Sequence, residues 1–220
     1  MVQSTSYFLT RDPTWDKEKP YTLRFQPVEG LEIPRTNVLR ETHDVEIHDL
    51  RSETDKFDIE TQGFTVIEAT SRLAYKDYFD ELSIKRLFYP EIETAVKKLL
   101  GATWVRVFEH TVRKRHPEFP VSTGSDYEYN QPAMMAHIDS TTDFALEQAR
   151  RMTGAENDLK PGRYMLIHAW KPLKGPLYDW LLALCDARTV DKEKDIVRGD
   201  IVFPTYIIEN YQVHHNEGQK

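Results

Sequence analysis

At Thr103 the hydrophobic pattern of this chain changes period, and that change constrains its fold more than any other feature of the sequence. Before it, between Leu73 and Leu87, apolar and aromatic side chains recur every three or four residues, with Tyr75, Phe79 and Leu82 among them. Pro90 then opens a helix over 91–100, in which Ile92, Val96 and Leu99 form the stripe and Gly101 the C-terminal cap. After it, residues 104–108 alternate with period two, 164–170 read as a strand, and 201–203 and 206–215 supply two more. A helix over 142–152, opened by a Ser or Thr and closed by Gly154, interrupts them, and 177–184 form a further short element. Short strands with turn signals behind a helical layer predict a mainly β fold. The expected architecture is a double-stranded β-helix of the jelly-roll or cupin-like kind, with flanking N-terminal helices.

Residues 1–60 follow neither pattern. Pro13, Pro20, Pro27 and Pro34 argue against a long helix there, and only 23–25 and 45–50 alternate. This predicts an N-terminal arm packed on the core, with 61–220 carrying the helical layer and the barrel as a single domain overall.

Within the strand region, His137 and Asp139 are separated by one residue. On a strand they share a face, so an imidazole and a carboxylate can converge on one ion. One further His would complete a facial triad with three positions left open. The ordinary alternative is a hydrogen-bonded structural imidazole. The loop over 117–132 precedes this pair and contributes Tyr127, Tyr129 and Asn130, which are candidates for lining a substrate site at a barrel mouth. Trp170 is a candidate for the pocket floor.

Composition narrows the partners. With 220 residues, 40% of them hydrophobic, the chain can build one substantial core. Its formal charge of −7 argues against nucleic acid, since phosphate neutralisation needs a basic face. The lone Cys185 excludes an intrachain disulfide and a thiolate zinc cluster, and its neighbours Leu181, Leu182 and Leu184 predict a buried thiol. Asp12, Asp16 and Glu18 close to Met1 argue against a secretory signal, and no stretch reaches the roughly 20 apolar residues of a membrane span. A cytoplasmic protein with a small-molecule substrate is expected.

Longer segments carry a family resemblance. They include Asp49-Leu50-Arg51, Gln62-Gly63-Phe64, Tyr89-Pro90-Glu91, the run from Gly101 to His110 followed by Arg113, and His137-Ile138-Asp139-Ser140-Thr141. Ala169-Trp170-Lys171-Pro172-Leu173, Gly175-Pro176-Leu177 and the run from Leu182 to Arg188 continue the series. In this order they resemble the fungal hydroxylase/desaturase family related to gibberellin desaturase-like and cephalosporin 7α-hydroxylase-associated proteins. These are Fe(II)/2-oxoglutarate-dependent oxygenases of secondary metabolism.

The resemblance implies Fe(II) and 2-oxoglutarate as cofactors, and hydroxylation or desaturation of a small aromatic, terpenoid or polyketide-like metabolite. It implies His137 and Asp139 as metal ligands and catalytic centre. Arg113, Arg188 and Lys171, which stands where the family usually has Arg after Trp, are the implied cations for the co-substrate carboxylate. Gln219 falls on the position resembling the family's distal iron-binding His, with His214 and His215 as imidazoles that could replace it. Asn216-Glu217-Gly218 reads as a hairpin turn, so Gln219 and Lys220 begin a strand that stops short and leaves an edge suited to homo- or hetero-dimerisation. Two other functions stay open on this scaffold: a metal-independent isomerase, cyclase or dehydratase, and a non-catalytic partner subunit.

Overall fold

The computed structural model describes residues 1–27, 30, 32–121, 127–154 and 159–220. The chain divides into two compact units. The first comprises Met1–Val66, Met134–Leu166 and Ala183–Lys220; the second comprises Ile67–Ala133 and Ile167–Leu182.

The first unit is built on sheets. Strand β1 (Val2–Leu9), β2 (Tyr21–Leu23) and β3 (Arg40–Ile47) come from the N-terminal segment. β1 and β3 pair antiparallel along their whole lengths, from Val2 opposite Ile47 to Leu9 opposite Arg40. Strand β4 (His137–Ile138), β5 (Ile196–Val202) and β6 (Ile207–Val213) join β2 in a four-stranded sheet of order β2-β5-β6-β4. Pairing is parallel between β2 and β5 and antiparallel elsewhere. The β5–β6 connection is closed by the Phe203 N–H donating to the Tyr206 carbonyl at 2.9 Å, beneath two stacked rings 4.5 Å apart. Gly199 sits where β2, β5 and β6 come closest. A Cβ there would lie 3.1 Å from Asn210 Oδ1 and 3.3 Å from the Pro20 carbonyl.

The second unit is helical and looped. A 3-10 turn (Tyr75–Phe79) ends at the extended Asp80, after which a single turn α1 (Glu81–Ser83) and a π-helical turn (Ile84–Phe88) run without a break into α2 (Tyr89–Leu100). Gly101, at φ 59°, ends α2 in the left-handed conformation that the sequence predicts for a glycine cap. Leu73, Tyr78 and Ile84 form the buried cluster, against which Leu87, Phe88, Tyr89, Val112 and Leu173 pack. In the sheet unit α3 (Thr142–Thr153) is likewise capped as expected: the Thr141 hydroxyl accepts from the Phe144 N–H, and Gly154 closes the helix at φ 68°.

The mainly β, double-stranded β-helix or jelly-roll architecture expected from the sequence is not what forms. The described residues give a mixed α/β structure with one two-stranded and one four-stranded sheet, neither closed into a barrel. Residues 104–108 and 164–170 account for much of the difference. Their alternation is that of a strand, yet they run outside the paired sheets. Period two marks a backbone that can extend and a face that can be buried; a ladder also needs a neighbour. Residues 177–184 are likewise irregular, and Cys185 is exposed rather than buried because Leu181, Leu182 and Leu184 beside it are themselves exposed. Residues 122–126 of the expected 117–132 loop lie outside the described residues. Among the described residues, no helix is long and apolar enough to cross a membrane.

Candidate metal centre

β4 is an edge strand, and both its flanks are tied down. Upstream, the Tyr7 N–H donates to the Met134 carbonyl at 3.2 Å and the Ala136 N–H to the Tyr7 carbonyl at 2.8 Å, anchoring the chain to β1. Downstream, the Thr141 N–H donates to the Glu209 carbonyl at 3.0 Å, and the Thr141 hydroxyl to Glu209 Oε2 at 2.6 Å. Thr141 is fully buried and also caps α3, so one residue fixes both the helix and the end of the His-x-Asp segment. Glu209 in turn binds Lys19 at 2.6 Å and Arg198 at 3.3 Å. Burial works to raise the Glu209 pKa, but Lys19 and Thr141 outweigh it, and the carboxylate is held below its ordinary range.

His137 and Asp139 converge. Nδ1 of His137 lies 2.6 Å from the Met135 carbonyl and Nε2 lies 2.9 Å from Asp139 Oδ1. A carbonyl only accepts, so Nδ1 carries the proton. In the neutral ring Nε2 then offers a lone pair, and it faces a carboxylate oxygen. Two acceptors at this distance are satisfied by a proton on Nε2 or by a cation shared between them. Two ligands bound at about 2.1 Å and at right angles stand about 3 Å apart, so the pair has the spacing of one edge of an octahedral site. The backbone carbonyl behind Nδ1 is the kind of outer partner that fixes a ligating imidazole.

The three C-terminal candidates differ sharply. The His214 N–H donates to the Asp195 carbonyl at 2.8 Å, extending the β5–β6 ladder by one residue. Alternation therefore puts Asn210, Gln212 and His214 on one face of β6 and His215 on the other. Gln212 is the register partner of His137, so His214 lies on the side of the sheet that carries His137. Its Nδ1 is 2.8 Å from the Leu9 carbonyl, which leaves Nε2 with the lone pair, as in His137. His215 stacks on His43 with ring centroids 3.9 Å apart and meets Phe8 edge-on. Burial and then the neighbouring His43 lower the His215 pKa. Gln219 spends its amide on the turn it closes: Nε2 donates to the His214 carbonyl at 3.0 Å and Oε1 accepts from the Asn216 N–H at 3.3 Å. Among the described residues, no group of three or more His, Cys, Asp or Glu is gathered closely enough to hold an ion.

The remaining candidates are dispersed. Arg188, in the sheet unit, makes a two-pronged pair with Asp186 at 3.0 and 2.5 Å. In the helical unit Arg113 donates to the Gln131 carbonyl at 2.6 Å, and Lys171 to the Ala69 carbonyl at 3.3 Å. The Tyr127 hydroxyl donates to the Val121 carbonyl, Asn130 bridges Arg113 through its backbone, and Trp170 is half exposed. Tyr129 packs edge-on against Phe79, with Lys114 Nζ 5.1 Å from its ring centroid. Sequence reasoning missed Met135, Thr141 and Leu9, whose contributions are a carbonyl, a cap and another carbonyl. Only the Thr at the head of α3 left a signal, as the expected helix cap.

An imidazole and a carboxylate presented together from a sheet edge define a candidate mononuclear metal protein. Residues 7–220 match the family described as the oxidoreductase/YMDC permease-like domain. The hydroxylase/desaturase poxK of Penicillium oxalicum is 31% identical over 191 residues, covering 82% of this chain and 56% of the relative. The Fe(II)/2-oxoglutarate-dependent dioxygenase nvfI of Aspergillus novofumigatus is 30% identical over 152 residues, covering 67% of this chain and 52% of the relative. The chain thus spans little more than half the length of these relatives. The solved structure of the iron and alpha-ketoglutarate-dependent endoperoxidase NvfI superposes with a TM-score of 0.76 at 23% identity, over 100% of this chain and 77% of the other, and so shares its fold. The chain belongs to the fungal family of Fe(II)/2-oxoglutarate-dependent hydroxylases, desaturases and dioxygenases.

Proposed function

We propose that this protein is a non-haem Fe(II)/2-oxoglutarate-dependent hydroxylase or desaturase of a small metabolite, with His137 and Asp139 as two iron ligands and His214, which the described residues do not gather with that pair, as the third that iron would draw in. One observation carries the reading: Nε2 of His137, its tautomer set by the Met135 carbonyl, faces Asp139 Oδ1 at 2.9 Å. His214 supports it as the imidazole on the same side of the sheet, its Nδ1 also engaged by a backbone carbonyl. Family membership supplies the reaction class.

Iron with 2-oxoglutarate would supply the oxidising power to break an unactivated C–H bond. The chain's own residues do the rest. Met135 and Leu9 hold the two rings in the ligand tautomer, and Thr141 and Glu209 keep Asp139 beside His137. Arg188, in the same unit as these ligands, is the cation proposed for the far carboxylate of 2-oxoglutarate, which would have to displace Asp186 from its fork.

Anaerobic Fe(II) titration with elemental analysis tests the reading. The chain is expected to take up one equivalent of iron and to decarboxylate 2-oxoglutarate slowly without substrate. His137→Ala and Asp139→Ala should each abolish stoichiometric uptake, and unchanged uptake in both variants would exclude this site.

A further inference from the structure

On the face of the four-stranded sheet that carries His137, Gln212 is a polar side chain to which the iron site gives no role. It is the register partner of His137 across β4 and β6, and it precedes His214 by two residues along β6. The His214 N–H is turned to Asp195 at the start of β5, so the Gln212 backbone, two residues earlier, is turned the same way, opposite Val197. His137 and Gln212 therefore form the antiparallel pair that exchanges no hydrogen bonds, with Cα atoms about 4.5 Å apart and side chains close together on one face. A cation shared by His137 and His214 would lie over Gln212.

The neighbouring glycine shows how that side chain is seated. Gly199 does not have a positive φ, so its backbone would accept a side chain. Room is what it lacks: a Cβ would lie 3.1 Å from Gln212 Cγ and 3.1 Å from Asn210 Oδ1. The two carboxamides occupy the space that the glycine leaves. Asn210 is 2% exposed, and its Oδ1 accepts from Gln212 Nε2 at 3.3 Å. That bond uses one of the two amide N–H groups of the half-buried Gln212, and among the described residues the second has no partner. A carboxamide is a weak Fe(II) ligand beside an imidazole, so what Gln212 offers here is a neutral donor.

We infer that Gln212 is a co-substrate-binding residue, its second amide N–H donating to the carboxylate oxygen that 2-oxoglutarate would place beside the metal. The inference rests on the iron-site reading with His137 and His214. It adds a partner for the end of the molecule opposite the one given to Arg188. Gly199 and Asn210 hold the amide in place, so the donor is oriented before the ligand arrives.

Anaerobic titration with Fe(II), followed by 2-oxoglutarate at saturating Fe(II), tests the two layers separately. Gln212→Met keeps the length of the side chain and removes its amide. It should take up Fe(II) like the unmodified chain and bind 2-oxoglutarate about tenfold more weakly, the worth of one hydrogen bond to a charged group. Gln212→Glu, which sets a second negative charge against the co-substrate, should bind it more weakly still. Unchanged 2-oxoglutarate affinity in Gln212→Met would overturn the inference while leaving the iron site standing. Loss of iron together with 2-oxoglutarate in Gln212→Met would show that the side chain only supports the sheet, and would overturn it too. An unmodified chain that takes up no Fe(II) would sink the iron-site reading and this assignment with it.

Discussion

The two compact units bury different chemistry. Among the described residues of the sheet unit, the buried ones include Thr141, Gln148, Asp195, Asn210 and His214, alongside the apolar Phe8, Leu9, Pro20 and Val213. In the helical unit the buried core is Leu73, Tyr78, Ile84 and Val96. Directional bonds fix positions closely, whereas apolar contact fixes volume and shape. The sheet unit thus suits a site whose two ligands must stand a defined distance apart, and the helical unit suits a cleft defined by its walls. Among the described residues, the buried side-chain polar atoms without partners belong to the second unit, Tyr78 Oη and Glu91 Oε2.

The largest effect that tests this contrast is in the helical core. Ile84→Ala removes a side chain that is 3% exposed and should cost about 3 kcal/mol of stability, read as a lower urea midpoint. In the sheet unit the matching change is Asp195→Ala. Asp195 is 1% exposed and receives hydrogen bonds from Arg11 at 2.7 Å, the Asp191 N–H at 2.9 Å and Asn216 at 3.0 Å. Losing it strands buried donors at a cost of about 2 kcal/mol. Asp195→Leu, which restores volume without acceptors, should be no better than Asp195→Ala. If the leucine variant recovers stability, packing rules both units and the contrast fails.

A smaller effect separates the units by pH. Burial acts to raise the Glu91 pKa, but hydrogen bonds from Ser71 and Arg72 outweigh it, so the native carboxyl titrates below its ordinary range. The sign follows from linkage: a depressed native pKa stabilises the fold above the unfolded value, about 4.3, and that contribution fades as pH falls through the native pKa. Glu91→Gln should flatten the loss of stability below about pH 4. An acid limb identical in the two proteins would show that Glu91 contributes nothing to it.

Local signals were legible where a single residue decides the outcome. Thr141 and Gly154 mark α3, Gly101 marks the end of α2, and the alternation of 206–215 marks β6. β1 was not legible, because Val2-Gln3-Ser4-Thr5-Ser6 has little apolar alternation and its partner β3 lies about forty residues away. The same limit misled in the other direction at 104–108 and 164–170, whose side chains suit a strand while no neighbour pairs with them in the described sheets. At the site, His137 and Asp139 could be picked out by side chain. The carbonyls of Met135 and Leu9 could not, since every residue has one. Gln219 was placed by motif, but its amide groups are engaged by the turn at Asn216, a contact that depends on backbone geometry.

The central claim is that His214 joins His137 and Asp139. Its most direct test is the Fe(II) affinity of the otherwise unchanged chain carrying His214→Ala, His215→Ala or Gln219→Ala, measured anaerobically with folding checked by circular dichroism. The account predicts loss of stoichiometric iron with His214→Ala alone, and affinity within about twofold of the unmodified chain for the other two. Retention of iron by His214→Ala together with its loss on changing His215 or Gln219 would contradict the account.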